Sequence, residues 1–116
     1  MSGSTIREKR EQYSGPLSDS LESIVAALAV RPDVDRAILF GSYPEGRRDL
    51  FTDLDILIVV ESELDFVSRT AEMYRYLSAP VDKNLFCYTP EEIDRNRDRP
   101  FFRRVLEQGE AIYERG

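Results

Sequence analysis

The chain has 116 residues, of which 41% are hydrophobic and 33% charged, and its net charge at pH 7 is −6. This composition is typical of one globular domain, and the acidic balance argues against general nucleic-acid binding, which depends on clustered Lys and Arg. The absence of His excludes Ser-His-Asp and Cys-His catalysis, and a single cysteine excludes an internal disulfide. We expect that cysteine, Cys87, to be a small buried hydrophobe.

The ends and boundaries of the chain carry few signals. Residues 1–15 are polar and are predicted to form a loosely held N-terminal arm, whereas residues 16–116 are predicted to form a single domain. No apolar run is long enough to cross a membrane, and no signal-peptide core follows Met1. We therefore expect a cytoplasmic protein without membrane contact.

The first predicted elements are a helix and two strands. Apolar residues recur at helical spacing between positions 17 and 28, and Pro32 ends this helix. Asp35–Phe40 is predicted to be a strand that ends at Gly41. After a loop, a second strand is predicted over Asp53–Val60. This segment is apolar on both faces, which favours a central strand covered on each side.

The second half of the chain predicts a helix, a strand and two more helices. The first of these helices is predicted from an apolar stripe formed by Leu64, Val67, Ala71 and Tyr74. Val81–Tyr88 is the third predicted strand, and Thr89–Glu92 has the cap, proline and glutamate of a helix start. Pro100–Gln108 is predicted to be the last helix, before an extended tail at Ala111–Tyr113. This order predicts an α/β (α+β) fold, a small mixed sheet with helices packed mainly on one face.

Asp53 and Asp55 stand two residues apart at the start of the second predicted strand. Alternate side chains of a strand face the same way, about 7 Å apart along the chain. Two like charges on one face repel each other unless a cation compensates them. Carboxylates prefer Mg²⁺, Mn²⁺ or Ca²⁺, and Mg²⁺ is usually bound by one or two carboxylates together with substrate phosphates. The spacing therefore indicates a candidate metal site.

The loop before these acids has features of a phosphate site. Gly41 allows a ligand to approach the backbone, and the N–H groups that follow a glycine can hold an anion. Ser42 offers a hydroxyl, and Arg47 and Arg48 are candidate phosphate contacts. Each motif is weak by itself, because Gly-Ser turns and acidic strand ends are common and Ser42 could also cap a helix.

Together and in this order, Gly41-Ser42, ten intervening residues and Asp53-Leu54-Asp55 resemble the signature of the polymerase-β-like nucleotidyltransferase superfamily. The stretch from Phe40 through Val59 and the ending Phe101–Gly109 resemble the minimal nucleotidyltransferase (MNT) proteins of bacteria and archaea. The resemblance extends over roughly residues 17–114, which is the size of a minimal domain.

The resemblance implies a nucleotidyltransferase fold and Mg²⁺-dependent transfer of a nucleoside monophosphate, expected to be AMP from ATP, to a hydroxyl. Gly41 and Ser42 would contact the triphosphate, while Asp53 and Asp55 would hold two Mg²⁺ ions, with Mn²⁺ as an alternative. Asp82 would supply a third catalytic carboxylate, as a metal ligand or a proton acceptor. A functionless acidic residue early in a strand remains the alternative for Asp82.

The resemblance also implies a partner. Minimal members lack the domains that bind large substrates, and the acceptor is often a separate helical protein of the HEPN type. That partner is the toxin of a toxin–antitoxin pair, in which this chain would be the antitoxin. The family loop reads Gly-Ser-Tyr-Ala-Arg-Gly, whereas Glu45 stands here where the arginine is common. Two hypotheses stay open: an active enzyme, and a non-catalytic module that keeps the site and acts by contact.

Overall fold

The computed structural model of the chain describes residues 16–41, 53–79 and 81–115. Its elements in chain order are α1 (Pro16–Ala29), β1 (Val34–Phe40), β2 (Leu54–Val60), α2 (Phe66–Tyr76), β3 (Lys83–Tyr88), α3 (Pro90–Asn96), α4 (Pro100–Gln108) and β4 (Glu110–Glu114). The four strands form one sheet in the order β3-β2-β1-β4. The predicted mixed α/β fold is confirmed, but the helices lie on both faces of the sheet and not mainly on one, because the central strand is apolar on each face.

The direction of the strands brings three chain segments to one end of the sheet. β1 is antiparallel to both β2 and β4, whereas β2 is parallel to β3 and is connected to it through α2. Asp55 lies opposite Phe40 on one side and opposite Asn84 on the other. The end of β1 and the starts of β2 and β3 therefore meet at the same end of the sheet, where Asp53 and Asp55 lie.

The sheet is covered on both faces, as the apolar pattern of its central strand predicts. In β2, Ile56 and Ile58 belong to a larger core, and Leu57 and Val59 belong to a smaller core on the opposite face. The two longer helices, α1 and α2, pack on the larger core, and the shorter α3 and α4 pack on the smaller one. Cys87 is fully buried in the larger core, as expected.

The apolar stripe predicted for the second helix does not face the core. Val67 is 74% exposed, and the rest of the stripe is exposed as well. The buried positions of α2 are Arg69 and Met73. Arg69 can be buried because it donates to both carboxylate oxygens of Glu92, at 2.6 and 3.1 Å, and to the Cys87 carbonyl at 3.0 Å. The sequence pattern treats arginine as a surface residue, and it therefore predicts the wrong face of α2 to be buried.

Local signals near the C-terminus agree with the structure. Thr89 caps α3, and Thr89 and Glu92 form a reciprocal capping box. α4 covers Pro100–Gln108 as predicted, and the predicted extended tail forms the edge strand β4 beside β1. None of the helices in the described ranges has both the length and the apolar character to cross a membrane.

Candidate metal and nucleotide site

Asp53 and Asp55 converge on one side chain of the neighbouring strand. Asp53 lies just before β2, and Asp55 is the second residue of that strand. The Asn84 amide nitrogen Nδ2 donates to Asp55 Oδ1 at 2.8 Å and to Asp53 Oδ2 at 3.4 Å. Both carboxylates are half-buried. The structure thus brings the two acids together on one face of the sheet, and their role as metal ligands stays a prediction.

Gly41, at the end of β1, lies directly against Asp55. Its φ of +85° is a left-handed conformation that glycine adopts without strain. A Cβ atom at this position would overlap Asp55 Oδ2 and would lie 3.2 Å from Asp55 Cγ. The two oxygens of Asp55 therefore have different neighbours, since Oδ1 is bonded to Asn84 and Oδ2 faces Gly41.

Asp82 is held near the site by its main chain. Its carbonyl oxygen accepts a hydrogen bond from the Leu54 amide at 3.0 Å, which fixes the start of β3 beside the start of β2. Its side chain is exposed. In the described ranges, no three acidic or cysteine side chains form a group that could hold a metal ion. The structure therefore does not gather Asp82 with the other two acids, and its catalytic role stays a prediction.

Three of the predicted nucleotide-binding residues, Ser42, Arg47 and Arg48, lie outside the described residues, as does Glu45. Their roles stay predictions from the sequence.

Asn84 is a member of the site that the sequence interpretation missed. Asp82 and Asn84 repeat the two-residue spacing of Asp53 and Asp55 on a parallel neighbouring strand. This repeat was the available signal, because alternate residues share a face. It has meaning only once the register of the two strands is known.

A cavity of about 240 Å³ opens beside Gly41. Phe40 and Phe101 form part of its wall, and Arg104 and Gln108 add hydrogen-bonding groups. The rings of Phe40 and Phe101 meet edge to face, with centroids 5.7 Å apart, and Phe101 is 38% exposed. Because Phe40 lies opposite Asp55, this apolar wall lies beside that acid. Apolar walls with a few polar groups are typical of small-molecule sites.

The residues present fit a hard divalent cation. Asp53 and Asp55 supply carboxylate oxygens on one face, and Gly41 leaves Asp55 Oδ2 free of side-chain crowding from β1. Mg²⁺ keeps several waters and is commonly bound through one or two carboxylates plus substrate phosphates. Two converging acids are therefore sufficient protein ligands for such an ion.

A family model described as "Polymerase beta, Nucleotidyltransferase" matches residues 22–116. The chain belongs to this family. The matched region includes the Gly41–Asp55 signature and all elements from β1 to β4. The predicted polymerase-β-like superfamily is therefore confirmed, and membership of its minimal nucleotidyltransferase branch is consistent with the matches.

One curated relative agrees with this assignment, and one solved structure shares the fold. The chain is 32% identical, over 83 residues, to a Methanocaldococcus jannaschii protein named "Putative protein adenylyltransferase MJ0604", and the match covers 72% of this chain and 82% of that protein. A crystal structure of "a putative nucleotidyltransferase" from Sulfolobus solfataricus aligns with a TM-score of 0.57 and 18% identity. That alignment covers 89% of this chain and 91% of the other, and it shows a common fold.

Proposed function

We propose that the protein is a Mg²⁺-dependent nucleotidyltransferase that transfers AMP from ATP to a hydroxyl group. The observation that carries this proposal is the convergence of Asp53 and Asp55 on the Asn84 amide, beside Gly41, in a chain of this family. Converging carboxylates with an accessible oxygen are the ligands that a nucleotide-bound Mg²⁺ requires. The proposed nucleotide and metal make this reaction more specific than the family assignment.

Each residue of the site has its own role in the proposed reaction. Asp53 and Asp55 would hold the metal, and the backbone after Gly41 would orient the phosphates together with Ser42. The acceptor oxygen attacks the α-phosphorus, the bond to the bridging oxygen breaks, and pyrophosphate leaves with the bonding electrons. The acceptor's proton would pass to a base for which Asp82 is the candidate from the sequence, although the structure does not gather Asp82 with Asp53 and Asp55. When bound, divalent ions would supply charge stabilisation at the reacting phosphate.

The proposed acceptor is a hydroxyl on a helical HEPN-type protein, with this chain as the antitoxin of a cytoplasmic toxin–antitoxin pair. The name of the Methanocaldococcus jannaschii relative supports a protein as acceptor. The exposed apolar residues on and just before α2 support a protein partner, because Val67 (74% exposed) and Tyr74 (40% exposed) lie on the helix and Leu64 (50% exposed) precedes it. The arginine-bearing segment Arg95–Arg104 offers further contact surface, whereas the predicted N-terminal arm, residues 1–15, lies outside the described residues.

A second candidate function is neutralisation of the partner by contact alone. Glu45 favours it, because a carboxylate replaces a positive charge where a polyphosphate would bind. In this case the metal site would be kept without turnover. The two candidates differ in whether Asp53 and Asp55 are needed to neutralise the partner.

The test is mass spectrometry of the product of the neighbouring gene, after incubation with the chain, ATP and Mg²⁺. We expect a mass gain equal to one AMP or a multiple of it, which disappears with Asp53→Asn, Asp55→Asn. The control Asp19→Asn, Glu22→Gln makes the same charge change on exposed residues of α1, outside the proposed contact segment Arg95–Arg104, and should keep the gain. Full neutralisation by the Asp53→Asn, Asp55→Asn variant would favour contact alone. Rapid transfer to a small-molecule hydroxyl, with no partner bound, would contradict the partner only.

A further inference from the structure

We propose that Asn84 is a positioning residue that sets the orientation of Asp55 for metal binding. This inference rests on the proposed function, since it assigns a task within the same metal site. Asn84 is exposed, lies on β3 and is not one of the residues that the family signature contains. Its assignment comes from its contacts alone.

The amide of Asn84 supplies donors where the acids supply only acceptors. An ionised carboxylate accepts hydrogen bonds and an amide NH₂ donates two, so the nitrogen and not the oxygen of Asn84 faces the pair. The bond to Asp55 Oδ1, at 2.8 Å, is short, and the contact with Asp53 Oδ2, at 3.4 Å, is long. Asp55 is therefore the carboxylate that Asn84 orients, and Asp53 is the weaker partner.

As a consequence, the two oxygens of Asp55 have different roles. With Oδ1 bonded to Asn84, Oδ2 is left facing Gly41, where the signature loop begins. Oδ2 is then the Asp55 oxygen that would be available to a cation. Asn84 is neutral and partly compensates the two negative charges without adding a third, which a carboxylate at the same position would do.

The strand beneath Asn84 holds it in this place. Asn84 lies directly opposite Asp55 in the parallel β2–β3 pair. The next residue, Leu85, points into the larger core, and its amide donates to the Tyr74 hydroxyl at 2.9 Å. Rotation of the strand would expose Leu85, so Asn84 is kept on the face of the acids. Residues that orient metal-binding carboxylates typically contribute about 10- to 100-fold in metal affinity.

The test uses Mn²⁺ as the probe, with its dissociation constant measured by electron paramagnetic resonance or calorimetry. Asn84→Leu keeps the approximate shape and removes the amide, and we expect it to weaken Mn²⁺ binding by about 10-fold or more. Asn84→Gln keeps an amide donor and should retain more affinity than Asn84→Leu. The matched control is Asn96→Leu, which removes an amide whose nitrogen donates to the Glu92 carbonyl at 2.8 Å, on α3. It should leave Mn²⁺ affinity unchanged.

Thermal unfolding of the metal-free variants provides the second measurement. Because Asn84 is exposed, Asn84→Leu should unfold near the wild-type temperature, so that a loss of affinity is not a loss of fold. Unchanged or tighter Mn²⁺ binding by Asn84→Leu would overturn the inference, as would equal losses in Asn84→Leu and Asn84→Gln. If Asp53→Asn, Asp55→Asn abolishes binding while Asn84→Leu keeps it, only the role of Asn84 fails. If the wild-type protein does not bind Mn²⁺ with or without ATP, the proposed function fails with it.

Discussion

Gly41 and Asp55 approach each other so closely that a Cβ atom on Gly41 would overlap the Asp55 Oδ2 oxygen. The contact follows from the strand register, because Phe40, the residue before Gly41, lies opposite Asp55 in the β1–β2 pair. Gly41 also has a φ of +85°, which side chains disfavour. The end of β1 and a candidate metal ligand therefore depend on the same glycine.

Replacement of this glycine should affect both stability and metal binding. We expect Gly41→Ala to lower the free energy of unfolding by about 1–2 kcal/mol, the usual cost of a left-handed conformation for a residue with a Cβ atom. It should also weaken Mn²⁺ binding, because the new methyl group displaces the Asp55 carboxylate. Urea denaturation and Mn²⁺ titration measure the two effects.

Gly109→Ala is the control, because a Cβ atom at Gly109 would be crowded by atoms outside the metal site. Its Cβ atom would lie 2.6 Å from the Val105 carbonyl oxygen, so this variant should also lose stability. It does not touch the acids, and Mn²⁺ affinity should stay unchanged. Equal Mn²⁺ affinity in the Gly41→Ala variant and the wild type would show that the close approach has no role in the site.

The two acids should be required for nucleotide binding but not for folding. We expect Asp53→Asn, Asp55→Asn to abolish Mg²⁺-dependent ATP binding in calorimetry. The metal-free variant should unfold at the wild-type temperature or above it, because two like charges that share the Asn84 amide are removed. Undiminished Mg-ATP affinity in this variant would falsify the metal-site assignment.

The buried pair of Arg69 and Glu92 should be a main contributor to stability. The Arg69 side chain is 7% exposed and that of Glu92 is 25% exposed. We expect Arg69→Ala to lower the free energy of unfolding by about 3 kcal/mol, because a partly buried carboxylate and the Cys87 carbonyl lose their donor. Arg97→Ala breaks an exposed ion pair with Asp94 and should change stability by less than about 1 kcal/mol in the same urea titration. Similar losses in both variants would contradict this ranking.

The same pair predicts a pH dependence of stability. The hydrogen bond from Arg69 holds the pKa of the Glu92 carboxyl below its ordinary value of 4.5. A folded-state pKa that is lower than the unfolded one stabilises the protein above the unfolded pKa, and this contribution is lost as the pH falls through the folded pKa. The free energy of unfolding should therefore fall below about pH 4.5, and less steeply in Glu92→Gln than in the wild type. Identical slopes in urea titrations across this range would rule out the contribution.

Cys87 should be unreactive in the folded protein. Burial raises the pKa of its thiol to about 11, so the nucleophilic thiolate is scarce at neutral pH. We expect slow reaction with Ellman's reagent in buffer and rapid, complete reaction in denaturing urea. Rapid reaction of the native protein would mean that β3 opens readily at this position.

Local sequence signals predicted the parts of the structure that nearby residues decide. The capping box of Thr89 and Glu92 and the bounds of α4 depend on contacts within a few positions, and both were predicted. The shared face of Asp53 and Asp55 likewise follows from the two-residue period of a strand. For these features, the order of residues is itself the physical cause.

Only the tertiary structure decided which faces and which neighbours the remaining residues have. Arg69 is buried because Glu92, 23 positions away in the chain, neutralises it, and no local apolar stripe reveals that pairing. Asn84 joins the site because the parallel register places it opposite Asp55, which lies in another strand. Contacts between distant segments set helix rotation and strand register. The sequence by itself therefore identified Asp53 and Asp55 as the candidate site, and only the tertiary structure identified Asn84 as their neighbour.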